Sequence, residues 1–212
     1  MKAPLCVVAT TLTILSSCSS RTLGNRDTEV LSVLVEQVMK AQRPARSDAY
    51  VVVLDRTARL CGRGSTETPT DSCMGLVTER AVGRLPDDQT RLRAAFNGRN
   101  GTSLMIPKIP GPYTRMTEPQ NVSQLVSSSK PSNDPETYET FRANQWAQFF
   151  AKYPNSLGYL QFSAPAYSND GGTALVYMGY FARASYSKGW LVRLTRSTNG
   201  WRETAEIQLW IV

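Results

Sequence analysis

Alternating apolar and polar residues mark the last quarter of the chain, from residue 158 to residue 212. Two alternating runs, 189–198 and 201–212, flank the dipeptide Asn199-Gly200. Asn-Gly between such runs is a strong signal for a β-hairpin, because a type I′ turn needs positive φ at both of its central residues. The pattern therefore predicts a C-terminal hairpin that turns at Asn199 and Gly200.

A two-residue turn at this dipeptide also predicts the register of the hairpin. The apolar pairs expected on the core face are Trp190 with Leu209, Val192 with Ile207, and Leu194 with Ala205. The charged pairs expected are Arg193 with Glu206 and Arg196 with Glu203. Opposite charges that face each other across a sheet stabilise it by up to about 1 kcal/mol each.

The rest of the pattern predicts further helices and strands. Apolar residues at helical spacing predict helices over 27–42, 89–96 and 138–153, and short apolar runs predict strands over 49–55, 74–82, 104–109, 159–162 and 173–181. The strand at 173–181 has apolar side chains on both faces, which is typical of a central strand covered on both sides. The polar stretch 114–135 predicts a loop, and the aromatic stripe of helix 138–153 predicts a core face.

These elements predict the α+β class, with a largely C-terminal antiparallel sheet (a meander) packed by two or three helices. A length of 212 residues fits one domain, which we expect over residues 27–212. Residues 1–17 form a predicted signal peptide and residues 18–26 a polar tether.

The first residues carry the signature of export. Lys2 precedes an apolar segment that is too short to span a bilayer, and small residues follow it. The tetrapeptide Leu15-Ser-Ser-Cys18 resembles the lipobox of bacterial lipoproteins. The resemblance implies that Cys18 becomes the acylated N-terminus and holds the protein to the membrane through lipid. Ser19 in place of Asp resembles, in the enterobacterial sorting scheme, a signal for the outer membrane. An ordinary cleaved signal peptide is the alternative.

The other cysteines are also consistent with an exported protein. If Cys6 leaves with the signal peptide and Cys18 is acylated, the pair Cys61 and Cys73 is left. Such a pair in an exported protein predicts a disulfide, which contributes about 3 kcal/mol for a loop of this length. Two free thiols are the alternative, and a metal site is not expected without histidine or further cysteines.

The chain contains no histidine, and its formal charge is +7. Histidine is the commonest general base and metal ligand, so an enzyme built on this chain must use carboxylates, lysine or tyrosine instead. The glycine spacings of phosphate-binding and dinucleotide-binding loops are absent, and we expect no cofactor. The basic residues are scattered rather than clustered, which is typical of a solvated surface.

Aromatic and basic residues concentrate in the C-terminal quarter. Trp210, with Tyr186 and Arg193, is a candidate surface for stacking a glycan, a peptide or a lipid headgroup. The alternative is that a helix, such as 138–153, covers Trp210 as part of the core. Nucleic acid is not expected as a partner in the compartment that the signal peptide predicts.

The motifs of residues 162–179, 189–194, 199–201 and 209–210 resemble, at the level of pattern, a loose set of uncharacterised exported bacterial proteins. The resemblance covers about residues 140–212 and implies no catalytic residue.

Taken together, the sequence predicts an envelope lipoprotein that acts as a non-catalytic binding or accessory factor at the membrane surface. An envelope protein or cell-wall glycan is the expected partner. One alternative is a small histidine-free hydrolase acting on cell-wall glycan or peptide. Another is an accessory lipoprotein of a secretion or conjugation system.

Overall fold

The computed structural model describes residues 22–42, 44, 46–58, 89–126, 135–183 and 186–211. Cys18, Cys61, Cys73 and the predicted strand 74–82 lie outside the described residues. The described elements, in chain order, are α1 (Asn25–Gln42), β1 (Tyr50–Leu54), α2 (Gln89–Arg99), β2 (Thr114–Thr117), α3 (Pro119–Ser123), α4 (Pro135–Lys152), β3 (Ser156–Phe162), β4 (Ala166–Tyr167), β5 (Thr173–Arg183), β6 (Tyr186–Ser197) and β7 (Gly200–Ile211).

Seven strands form one mixed sheet in the order β2-β1-β3-β5-β6-β7, and β4 pairs with β5 beside β3. β1 is parallel to both β2 and β3, whereas the pairs from β3 to β7 are antiparallel. The prediction of mixed helix and strand with most of the sheet in the C-terminal half is confirmed. The prediction of a purely antiparallel meander is wrong.

β1 explains the parallel part of the sheet. All five of its residues are buried, and they alternate between the two faces: Val51 and Val53 join one core cluster, and Tyr50, Val52 and Leu54 join another. A strand with no polar face needs cover on both sides, as strands in parallel sheets usually have.

The two faces carry different helices. α1 covers one face with its apolar stripe, which includes Val30, Leu31 and Leu34, and this confirms the predicted helix to within two residues. On the opposite face α2 packs through Leu92 and Phe96, and α4 packs through Trp146 and Phe149. β5 lies between the layers, with Val176 toward α1 and Tyr177 toward α2, so its predicted cover on both sides is confirmed.

The hairpin between β6 and β7 forms, but its predicted register is wrong. Ser197 pairs with Gly200, so the two turn residues are Thr198 and Asn199. Gly200 has a φ of 100°, whereas Asn199 does not have the positive φ that a type I′ turn at Asn199-Gly200 demands. The turn thus lies one residue earlier than predicted, and Gly200 supplies the unusual backbone just after it.

Two further register shifts, at Thr204 and Leu209, alter the facing pairs along β7. The predicted ion pairs do not form: Arg193 faces Ala205, Glu206 faces Val192 and Glu203 faces Leu194. The predicted apolar pairs are also displaced, because Trp190 faces Gln208, Leu191 faces Ile207 and Leu194 faces Glu203. Each shift is a β-bulge, in which one strand contributes an extra residue, and alternation alone does not reveal it.

Two predictions in the middle of the chain are also wrong. Part of the predicted loop 114–135 is ordered structure: β2 and α3 occupy 114–117 and 119–123. Conversely, the predicted strand 104–109 makes only isolated bridges through Met105, to Thr22 and Arg56. Pro107 and Pro110 lack the N–H groups that a continued ladder requires.

Candidate functional site

A pocket of about 490 Å³ lies at the end of the sheet where β3 and β6 begin and β5 ends. Its lining comprises Gln42, Phe150, Ser156, Leu157, Tyr180, Ala182 and Tyr186. This volume falls within the range of about 300–1,000 Å³ that is typical of small-molecule sites. None of the lining residues carries a charge at neutral pH, so the pocket offers aromatic surface with hydroxyl and amide groups.

One wall of the pocket is built from two tyrosines at right angles. The rings of Tyr180 and Tyr186 stand edge to face at a centroid distance of 6.2 Å, and the Tyr180 hydroxyl donates to the Leu157 carbonyl at 2.6 Å. Tyr186 remains 39% exposed, and the Lys188 ammonium lies 4.7 Å from its ring centroid. Tyr186 is therefore an oriented aromatic side chain that is still accessible.

Ser156 is one of the pocket-lining residues, and its hydroxyl oxygen is itself buried. It begins β3 directly after Asn155, whose φ of 65° turns the chain out of α4 and whose side chain donates to Asp48 at 2.6 Å and accepts from Arg46. Ser156 is 8% exposed, and its Oγ has no hydrogen-bond partner among the described residues. A buried polar group without a partner costs free energy, so it favours a ligand or rearrangement that satisfies it.

No periodic signal in the sequence points to Ser156. Buried and half-buried residues alternate along β3, but the register against β1 shifts between Ser156 and Tyr159. Ser156 pairs with Tyr50, on the face that α4 covers, whereas Leu160 and Phe162 lie on the α1 face. The other lining residues come from separate elements, and only the fold brings them together.

A second polar cluster, the α1 clamp (Arg26, Asp27, Arg99 and Tyr167), lies at the opposite end of α1. Both carboxylate oxygens of Asp27 accept from Arg99, at 2.9 and 3.1 Å, and Asp27 also accepts from the Tyr167 hydroxyl at 2.8 Å. Its Oδ2 accepts from the backbone N–H of Gly24 at 2.9 Å. Asp27 thereby caps its own helix and ties it to α2 and β4.

Arg26, the fourth residue of the clamp, stacks on aromatic rings. The Arg26 guanidinium lies 3.9 Å from the centroid of the Tyr167 ring and 5.4 Å from that of Trp201, and it donates to the Gly171 carbonyl. Burial, followed by the hydrogen bond to Asp27, raises the pKa of Tyr167 well above its usual value. Most polar groups of the clamp bond to one another or to the backbone, the Arg26 Nε being the exception, and the clamp lines no described pocket. The clamp is therefore best explained as stabilising the fold.

The predicted surface of Tyr186, Arg193 and Trp210 is divided between the two faces of the sheet. Tyr186 lies with Tyr180 and Lys188 on the α1 face, at the pocket. Arg193 pairs with Leu175, which belongs to the cluster that α2 covers, so it lies on the opposite face. Trp210 also packs against that cluster. The structure therefore brings only Tyr186 to the pocket.

Trp210 is half-buried and packs closely against its neighbours. Its indole lies over Gly189, so close that a Cβ on that glycine would be 2.1 Å from Nε1. Its ring centroid is 5.4 Å from that of Phe181, and its N–H donates to the Tyr177 hydroxyl. Burial raises the pKa of Tyr177 to about 12, against the opposing effect of that hydrogen bond. Trp210 thus packs against the sheet and the cluster that α2 covers, and its contact with Phe181 reaches the cluster that α4 covers.

The described residues include no group of three or more acidic, histidine or cysteine side chains arranged to hold a metal ion. No helix among them has the length and apolar content needed to span a bilayer.

Comparison with family models, curated proteins and solved structures finds no match for this chain. Any assignment of function therefore rests on the chemistry of the residues themselves.

Proposed function

We propose that this protein is an exported lipoprotein, anchored through Cys18, that binds a small polar ligand in the pocket without transforming it. The single observation that carries the binding role is the pocket itself, with its accessible Tyr186 and the unsatisfied hydroxyl of Ser156. The lining is rich in groups that recognise a ligand. It contains no carboxylate, lysine or thiol of the kinds that commonly act as nucleophile or general base.

The anchoring half of the proposal is supported by the lipobox and by the position of α1. The seven residues from Cys18 to Gly24 extend at most about 25 Å, so the start of α1 stays near an anchored Cys18. α1 has 18 residues, which corresponds to about 27 Å of helix, and its last residue, Gln42, lines the pocket. A Cys18 anchor would thus join α1 at the end opposite the pocket, an arrangement that suits a ligand outside the bilayer.

Mass spectrometry of the full chain, purified gently from cell envelopes, tests both halves of the proposal. Under denaturing conditions we expect a polypeptide that begins at Cys18 and carries the mass of covalent acyl chains. Under native conditions we expect an additional non-covalent adduct, which the Tyr186→Ala variant loses. An unacylated chain would refute the anchor.

Tyr113 provides a matched control for the binding half, because it is 40% exposed, almost the same as Tyr186, and does not line the pocket. The Tyr113→Ala variant should retain the adduct. Equal retention by the Tyr186→Ala variant would show that the ligand binds elsewhere.

A further inference from the structure

The shape of the aromatic wall restricts what the pocket accepts. Tyr186 is fixed by its edge-to-face contact with Tyr180, and 39% of its surface remains open. A flat aromatic face held in one orientation suits a rigid ligand ring with apolar C–H groups on one side. Leu157, Ala182 and Phe150 add apolar surface around it.

The polar groups of the lining suit hydroxyls. The Gln42 side chain offers both a donor and an acceptor, and the Ser156 hydroxyl can act as either. These neutral groups match a ligand that presents several hydroxyl or amide groups around its edge. Hydrogen bonds of this type fix orientation rather than provide strong attraction.

The charges beside the pocket disfavour a cation and oppose each other for an anion. The Lys188 ammonium lies over the Tyr186 ring, at 4.7 Å from the centroid, so a cationic ligand on this wall would meet a like charge. The same ammonium would attract an anion, but α1 ends at Gln42, and the partial negative charge on its last carbonyl groups opposes that attraction. No charged side chain among the described residues lines the pocket itself, which favours an uncharged ligand.

From these three features we infer that the ligand is an uncharged saccharide, with one sugar ring packed on Tyr186 and its hydroxyl groups bonded to Ser156 and Gln42. This inference rests on the proposed binding function and narrows it to a chemical class.

Titration of the isotope-labelled full chain, followed by amide resonances, tests the class. The detergent must lack a sugar headgroup, because such a headgroup would compete. The neutral probes are N,N′-diacetylchitobiose, cellobiose and maltose, and the charged probes are choline and glucuronate. We expect at least one neutral probe to saturate shifts at Ser156, Leu157 and Tyr186, and to bind more tightly than either charged probe.

The variants separate stacking from hydrogen bonding. Tyr186→Ala should weaken binding about tenfold or more, whereas Tyr186→Phe should change it less than about threefold, because the ring is kept. Ser156→Ala should weaken binding by about threefold to tenfold. Tyr113→Ala, the control of matched exposure, should leave affinity unchanged.

Each other outcome is decisive. Preferential saturation by choline or by glucuronate would overturn the inference of an uncharged saccharide, while the pocket would stand as a binding site. Absence of saturation by all three neutral probes, in a protein that retains the Tyr186-dependent native adduct, would overturn the saccharide class alone. Loss of that native adduct as well would overturn the proposed binding function.

Discussion

At the scale of single residues, Asp27 carries the largest concentration of polar contacts that the structure describes. It is 5% exposed and accepts hydrogen bonds from Arg99, Tyr167 and the backbone of Gly24. Arg99 also donates to the Pro165 carbonyl at 2.6 Å, which ties the end of α2 to the chain before β4. The first turn of α1 is thus held to two distant segments through one carboxylate.

Replacing that carboxylate should destabilise the protein without unfolding it. Asp27→Asn should lower the free energy of unfolding by about 2 kcal/mol, because hydrogen bonds between charged groups are lost and the guanidinium of Arg99, with a side chain 34% exposed, regains only part of its hydration. Urea denaturation measures the change.

A double-mutant cycle with Arg99→Gln identifies the source of this loss. The coupling energy between the two positions should be about 1–3 kcal/mol. Tyr167→Phe, which removes a single hydrogen bond to Asp27, should cost only about 1 kcal/mol. A coupling energy near zero would show that the ion pair contributes nothing to stability.

Single residues also show the limit of prediction from the sequence. Tyr186 was predicted to belong to a binding surface because aromatic and basic residues concentrate around it. In the structure it lines the pocket. Arg193 and Trp210 belonged to the same group by composition but lie on the other face of the sheet. Composition indicates which residues are available, whereas bulges and register decide which of them meet.

At the scale of elements, the sequence predicts those that have a strong local period. α1, β1 and β5 carry long apolar stripes or runs, and the structure confirms all three. β2 has only the residues Thr-Arg-Met-Thr, none of them buried, so its place beside β1 depends on pairing with a distant strand. No local pattern indicates such a strand, so the sequence does not predict that part of the sheet is parallel.

The edge strand β7 illustrates how bulges protect a sheet. It runs for 12 residues, includes register shifts at Thr204 and Leu209, and exposes Arg202 and Glu206. Bulges and charges on an edge strand discourage pairing with strands of other molecules. Glu203 is partly buried against Gln37 of α1, and burial together with the neighbouring Glu206 raises its pKa.

The hairpin register makes a direct prediction about Gly189. Because the Trp210 ring occupies the space above this glycine, Gly189→Ala should displace the indole and lower the free energy of unfolding by about 1–3 kcal/mol. The indole N–H resonance of Trp210 should move as its hydrogen bond to Tyr177 is lost. Urea denaturation and NMR provide the two measurements.

Gly98 supplies the control for this substitution. It lies in α2, and a Cβ there would meet nothing within 4 Å. Gly98→Ala should therefore leave Trp210 unaffected and stabilise the helix by up to about 1 kcal/mol. An unchanged stability and an unchanged indole signal in Gly189→Ala would contradict the register of β6 and β7.

At the scale of the whole molecule, α1 connects two regions of different chemistry. Its first turn is fastened by the α1 clamp and follows the predicted tether, and its last residue lines the pocket. The sequence predicts the tether and the helix but not the pocket, because the lining is assembled from α1, α4, β3, β5 and β6.

The most direct test of this account places a photo-reactive amino acid at each end of α1 in living cells, in place of Asn25 or of Ala41. Both positions are exposed in the structure, and Ala41 precedes the pocket residue Gln42 without lining the pocket itself. We predict phospholipid adducts from position 25 and adducts free of phospholipid from position 41. Phospholipid adducts from position 41, or no lipid at position 25, would contradict a molecule anchored at one end of α1 with its pocket at the other.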